Sequence, residues 1–151
     1  MSTIKKFLNL IFIDGLSGMA LGLFSTLIIG TILKQAADLV GGDFGYYLGV
    51  FAVMAQRLTG AGIGIGVAYK YKSSTYVTLS AAAAGMIGAY ATAIISGSIL
   101  SDGALVYSGP GDPLSAFIAA LAGIAVGSLP AGKTKLDLLI TPAVTIIAGG
   151  A

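Results

Sequence analysis

Residues 15–33 carry no charge at all. A helix rises about 1.5 Å per residue, so this run covers roughly 28 Å, close to the hydrocarbon thickness of a bilayer. The apolar stretch containing it, residues 7–33, is interrupted by one charge, Asp14. This length predicts a membrane-spanning helix and makes lipid the solvent for the rest of the chain.

The remaining sequence agrees. Only 9% of residues are charged and 56% are hydrophobic; a soluble domain is typically about 25% charged. Lys5 and Lys6 ahead of the first apolar run, with small residues Ser17, Gly18 and Ala20 inside it, imitate a cleavable signal. The run continues to Leu33 and others follow, which favours an uncleaved first span.

Four further apolar stretches cover residues 44–69, 76–100, 113–131 and 138–151. Asp112 and Pro113 mark the start of the fourth, as cap and first helical residue. The last is short and contains Pro142. Basic residues per connection run 2, 1, 2, 0, 2 from the N-terminus. This alternation follows the positive-inside rule with a cytoplasmic N-terminus. The expectation is an all-α, polytopic transmembrane bundle of about five segments, a single domain over residues 1–151 in the cytoplasmic membrane. The abrupt end of the fifth segment suggests packing against a second copy or a C-terminal half. An odd span count would give inverted-topology repeats on duplication, a plan common in secondary transporters.

Composition excludes several chemistries. The chain has no His and no Cys. Zinc and haem sites lose their usual ligands, and the commonest general base is missing. A net charge of +2 is too small to imply nucleic-acid binding. No metal, cofactor or enzymatic activity is expected.

The strongest local anomaly is Gln56-Arg57, near the middle of the second stretch. An arginine there costs at least about 2.5–3.5 kcal/mol on insertion scales. Three readings stand: a ligand or pore site, an ion pair with Asp14, Asp112 or Asp137, or an interfacial position in a bend separating residues 44–55 from 58–69. Residues 59–66, TGAGIGIG, follow. Gly60 and Gly64, and Gly62 and Gly66, have the small-xxx-small spacing of tight helix packing. Four glycines also weaken a helix, so an unwound ligand site is the alternative. Asp14 is either buried in a helix or its N-cap. Thr141-Pro142 is a weaker pointer to a discontinuous helix near a transport path. The candidate substrate-binding set is Asp14, Gln56, Arg57, Gly60, Gly62, Asp112 and Thr141.

Residues 127–134, GSLPAGKT, match the phosphate-loop spacing, but that motif has meaning only between a strand and a helix. An apolar span precedes it here, so a helix end and a basic turn account for it.

Three stretches, FIDGLSGMALGLFSTLIIGTIL (12–33), GPGDPLSAFIAALAGIAVG (109–127) and GKTKLDLLITPAVTIIAGG (132–150), together resemble bacterial phosphotransferase-system EIIC-like proteins, the sugar transporter subunit IIC-like family. The resemblance implies a multispan, permease-like protein, and this chain would correspond to the N-terminal part of longer relatives. Lacking His and Cys, the chain cannot itself be the phosphocarrier. The leading expectation is a transporter, or half of one, moving a small polar or anionic solute by alternating access. A homo-oligomeric membrane scaffold or lipid-binding protein is the alternative. The bilayer, a small-molecule solute and another copy are the expected partners.

Overall fold

The computed structural model describes residues 2–105, 109–128 and 137–150. The phosphate-loop spacing at 127–134 and the basic turn with Lys133 and Lys135 lie almost wholly outside these residues.

The described chain is all-helical apart from one minimal hairpin. Helix α1, Thr3–Val40, is a single 38-residue helix. It is longer at both ends than the expected span. Residues 34–40 were expected in a polar connection, yet they continue the helix, because Lys34, Gln35, Ala36 and Ala37 are all strong helix formers. The helix stops where Gly41 and Gly42 take φ values of 66° and 67°, a region open to glycine without strain.

The expected span 44–69 is two helices. Helix α2, Gly42–Arg57, and α3, Thr59–Lys70, meet at Leu58 with a bend of 53°. The broken reading is therefore the one the backbone adopts. The expected span 76–100 is also broken. Helix α4, Thr75–Ala89, stops at Tyr90, and α5, Ala91–Ser96, is a short continuation. Strands β1, Leu100–Ser101, and β2, Ala104–Leu105, then pair antiparallel in the expected connection between the third and fourth spans, with Leu100 alone inside the expected span. Helix α6, Pro113–Gly127, starts as the sequence signals: Asp112 caps it and Pro113 opens it. Helix α7, Asp137–Gly150, runs uninterrupted through Pro142.

Helix α1 is long and apolar enough to cross a bilayer, and the α2–α3 pair satisfies the same test as one bent span. Helices α4 and α6 and residues 141–150 of α7 are shorter apolar pieces. These four short helices, α3, α4, α6 and α7, pack on one another, with Leu16–Leu23 of α1 laid against α3. The distal part of α1, Ile29–Val40, pairs instead with α2, forming a helical hairpin that extends from the bundle.

Small residues make this packing possible. Helix α3 presents Gly62 and Gly66 to Gly22 and Gly18 of α1, and Gly60 and Gly64 to Gly85 and Ala81 of α4. It is thus held between two neighbours at backbone contact. The two overlapping GxxxG pairs act through close approach, the means by which helices associate in lipid, where no hydrophobic drive exists. The unwound-segment alternative for residues 59–66 is corrected: the segment is helical. On the far side, Gly149 of α7 sits against Ala84 and the Ala119 carbonyl, and Gly123 lies against the Thr145 carbonyl. Ile63 and Val67 fill the centre, fully buried. The outer faces carry large apolar side chains such as Phe24, Ile28, Phe51 and Ile118, as lipid-facing helices require.

Candidate functional site

Three interruptions of helical structure converge in this bundle. The first is a π-helical turn in α1 at Phe24–Ile28. The second is the α2–α3 bend at Leu58, and the third is the α4–α5 break at Tyr90. Such interruptions leave backbone carbonyls short of their usual helical partners, so polar side chains must answer them.

They do. Thr59, fully buried at the start of α3, donates its hydroxyl to the Gln56 carbonyl at 2.6 Å. The hydroxyl of Thr26, inside the π turn, lies 2.7 Å from the Gly22 carbonyl and 3.3 Å from the Thr59 hydroxyl. One turn further along α1, the Thr31 hydroxyl donates to the Leu27 carbonyl and accepts from Gln56 Nε2 at 3.2 Å. Tyr90, nearly buried, donates to the Gly109 carbonyl at 2.5 Å, with the Arg57 carbonyl 3.4 Å away. The Asp112 backbone N–H donates to the Ala89 carbonyl at 2.8 Å. Residues 109–112 are thereby fastened to the α4–α5 break, and Tyr90 brings that break against the α2–α3 bend.

The expected site residues divide into two groups. Gln56, Arg57, Gly60 and Asp112 come together around the breaks, with Gly62 just inside on the α1 seam. The Asp112 carboxylate serves as a cap, accepting from Ser115 Oγ at 2.6 Å and from the Leu114 N–H at 3.0 Å. The Ser115 hydrogen bond, aided by those N–H groups, holds its carboxyl below the usual range against a small opposing effect of burial. The Arg57 side chain is exposed and lines a groove between α1 and α2 rather than the bundle interior.

Asp14 and Thr141 lie elsewhere. Asp14 falls in another π turn of α1, Leu10–Gly15, at the opposite end of α3. There the Tyr71 hydroxyl donates to the Leu10 carbonyl at 2.9 Å. Burial, with a further push from the Asp14 charge, raises the Tyr71 phenol above its ordinary pKa. The expected Asp14–Arg57 pair is corrected by the helix register. Gly18 opposes Gly66 and Gly22 opposes Gly62, so Asp14 is level with the end of α3 and Arg57 with its beginning. Thr141 is buried in α7, where its carbonyl accepts from the Thr145 hydroxyl at 2.8 Å.

Thr26, Thr31, Thr59 and Tyr90 were absent from the expected set. Threonines in a span are usually satisfied on their own helix, so nothing marked these. The one available signal was that Thr59 follows Arg57 across a bend. A second recess, of about 660 Å³, lies at the other end of the bundle between the start of α1, residues 71–74 and the end of α6.

The cluster therefore offers an amide, three hydroxyls, a phenol and free carbonyl lone pairs in an otherwise apolar bundle. Among the described residues no group of three metal-ligating side chains is present. No curated protein and no solved structure matches the chain. Residues 13–151, by contrast, match the family described as Phosphotransferase system, EIIC, and the chain belongs to that membrane-embedded family.

Proposed function

We propose that the chain forms the transport-path half of a sugar permease, with the cluster at Gln56, Thr31, Thr26, Thr59 and Tyr90 as its solute site. The observation that carries this reading is the Gln56–Thr31 hydrogen bond at the α2–α3 bend. Gln56 is half-buried and offers an amide that both donates and accepts, the pairing that sugar hydroxyls use. A bound sugar would exchange its own hydroxyls for the Thr31 hydroxyl at little net cost, since one hydrogen bond replaces another. Family membership supports sugar as the solute class.

The mechanism is alternating access without bond chemistry. The bend at Leu58 and the break at Tyr90 are the hinges. Helices α2 and α5 move against the glycine-sealed core of α3, α4, α6 and α7 while the cluster stays at the pivot. Arg57, beside the site, tunes its field from outside; Gly60 and Gly62 contribute by holding α3 close. Asp112 positions residues 109–112 over the hinge. In this reading the N-terminus is cytoplasmic on the positive-inside rule; the Tyr71–Leu10 bond, which joins residues 70–72 with Lys70 and Lys72 to the end of α1 that bears Lys5 and Lys6, supports that orientation. Another copy or a further half of the protein would complete the path.

Uptake of labelled mono- and disaccharides into proteoliposomes of the full-length protein tests this. Gln56→Ala should lower uptake about tenfold, the equivalent of one to two lost hydrogen bonds, and Gln56→Asn should restore part of it. Equal uptake by wild type and both variants would remove Gln56 from the path.

A further inference from the structure

The α1–α2 hairpin carries its own charge pattern. Its two helices are antiparallel and close: a Cβ on Gly45 would stand 2.7 Å from the Ala37 carbonyl, and one on Gly30 2.7 Å from Gln56 Cγ. These pairings order the charges along the hairpin. Arg57 is nearest the level of Gly30, Lys34 comes one turn further out, and Asp38 one turn beyond that. All three line one groove of about 520 Å³, whose walls include Tyr46, Val50 and Val53.

The depth of this groove follows from α1. Lys6 and Lys34 stand roughly 40 Å apart along the helix, and a bilayer with its head groups is about 40–45 Å thick. With Lys6 at one interface, Lys34 is at the head groups of the opposite leaflet. Tyr46 and Tyr47, edge to face at 5.4 Å, are exposed on the same hairpin, the residue type that favours this depth.

We propose that the groove is a binding site for an aminophospholipid, one with a phosphodiester and a primary ammonium, in the leaflet opposite the N-terminus. The phosphate sits between Arg57 and Lys34. The ammonium reaches outward to Asp38, Val50, Val53 and Met54 flank the head group, and the acyl chains run inward past Arg57 along the exposed apolar faces of the bundle. The order cation, cation, anion from depth to surface matches the order phosphate, ammonium in such a head group. Asp38 confers the selectivity. A primary ammonium donates charge-assisted hydrogen bonds to a carboxylate. A choline head group has no N–H to donate, and a glycerol head group leaves the carboxylate facing an anion without a cation.

Native mass spectrometry of the full-length protein, titrated in detergent with phosphatidylethanolamine, phosphatidylcholine or phosphatidylglycerol, tests the assignment. The expected result is retention of phosphatidylethanolamine about tenfold over the other two, the scale of one charge-assisted hydrogen bond. Asp38→Asn should erase that preference, and Lys34→Gln should weaken all three lipids. Asp43→Asn, which removes a carboxylate outside the groove, should leave the preference intact. Equal retention of the three lipids by the wild type overturns the proposal. So does a preference that survives Asp38→Asn, or one that Asp43→Asn abolishes equally.

Discussion

Gly18 of α1 and Gly66 of α3 meet backbone to backbone: a Cβ on Gly18 would stand 2.5 Å from the Gly66 carbonyl oxygen. The contact is reciprocal, since a Cβ on Gly66 would strike the Gly18 carbonyl. Four helices reach α3 or its neighbours through contacts of this kind, so the bundle is assembled on absent side chains.

Gly18→Ala should therefore destabilise the protein by about 1–3 kcal/mol, the cost of overpacking where neither backbone can retreat. Gly49→Ala is the matched control. Its nearest neighbour would be the Ala37 Cβ at 3.8 Å, an ordinary contact, and alanine favours the helix by up to about 1 kcal/mol. Helical circular dichroism during thermal unfolding in detergent should show a lower midpoint for the first variant and an unchanged or higher one for the second. Equal losses would mean that the α1–α3 seam is not where the packing is tightest.

Tyr90→Phe removes one hydroxyl and keeps the ring. Its bond to the Gly109 carbonyl joins the α4–α5 break to residues 109–112. The expected cost is about 0.5–1.5 kcal/mol, localised to that strap. Hydrogen exchange should quicken at the Asp112 amide, which donates to the Ala89 carbonyl, while amides in the middle of α3 keep their protection. Unchanged exchange at Asp112 would show that the phenol is incidental to the fastening.

The sequence made some of this legible and concealed the rest for physical reasons. The first span was readable because nineteen uncharged residues admit one account in lipid, and the α6 start because Asp112-Pro113 is a local signal. The end of α1 was misplaced because charge was taken as a boundary, whereas Lys34, Gln35, Ala36 and Ala37 extend a helix readily. The break at Tyr90 carries no Pro, and its polar partner, Gly109, lies well along the chain. The Asp14–Arg57 pairing failed because it needed the α1–α3 register, which is set by glycines on two separate helices. Gln56 stood out as a polar residue in an apolar run; its partner Thr31 did not, since a threonine can satisfy itself on its own helix.

Asp112 gives a pH prediction. Its carboxyl is held below the usual range mainly by the Ser115 hydroxyl. A carboxylate depressed on folding contributes stability that is complete above its ordinary pKa and is lost as pH falls through the folded value. Ser115→Ala removes the chief cause, so the Asp112 pKa should rise toward the ordinary value of about 3.9. Carbon-detected NMR of the side-chain carboxyl in detergent should show the midpoint moving up, and α6 should begin to fray at higher pH. A midpoint that stays in place would assign the shift to the Leu114 N–H instead.

Tyr71 gives the opposite sign. Burial raises its pKa first, and the Asp14 charge raises it further. The neutral phenol donates to the Leu10 carbonyl and ties residues 70–72 to the π turn of α1. A phenol raised on folding contributes stability that is complete below its ordinary pKa of about 10 and disappears as pH climbs through the folded value. Asp14→Asn removes the smaller cause only. The phenolate absorbance of Tyr71, isolated by subtracting the titration of Tyr71→Phe, should therefore move down in Asp14→Asn while remaining above the ordinary range. The alkaline limb of unfolding should move down with it. If the two titrations coincide, Asp14 faces solvent away from the phenol, and its place in the α1 π turn has no electrostatic consequence for this end of the bundle.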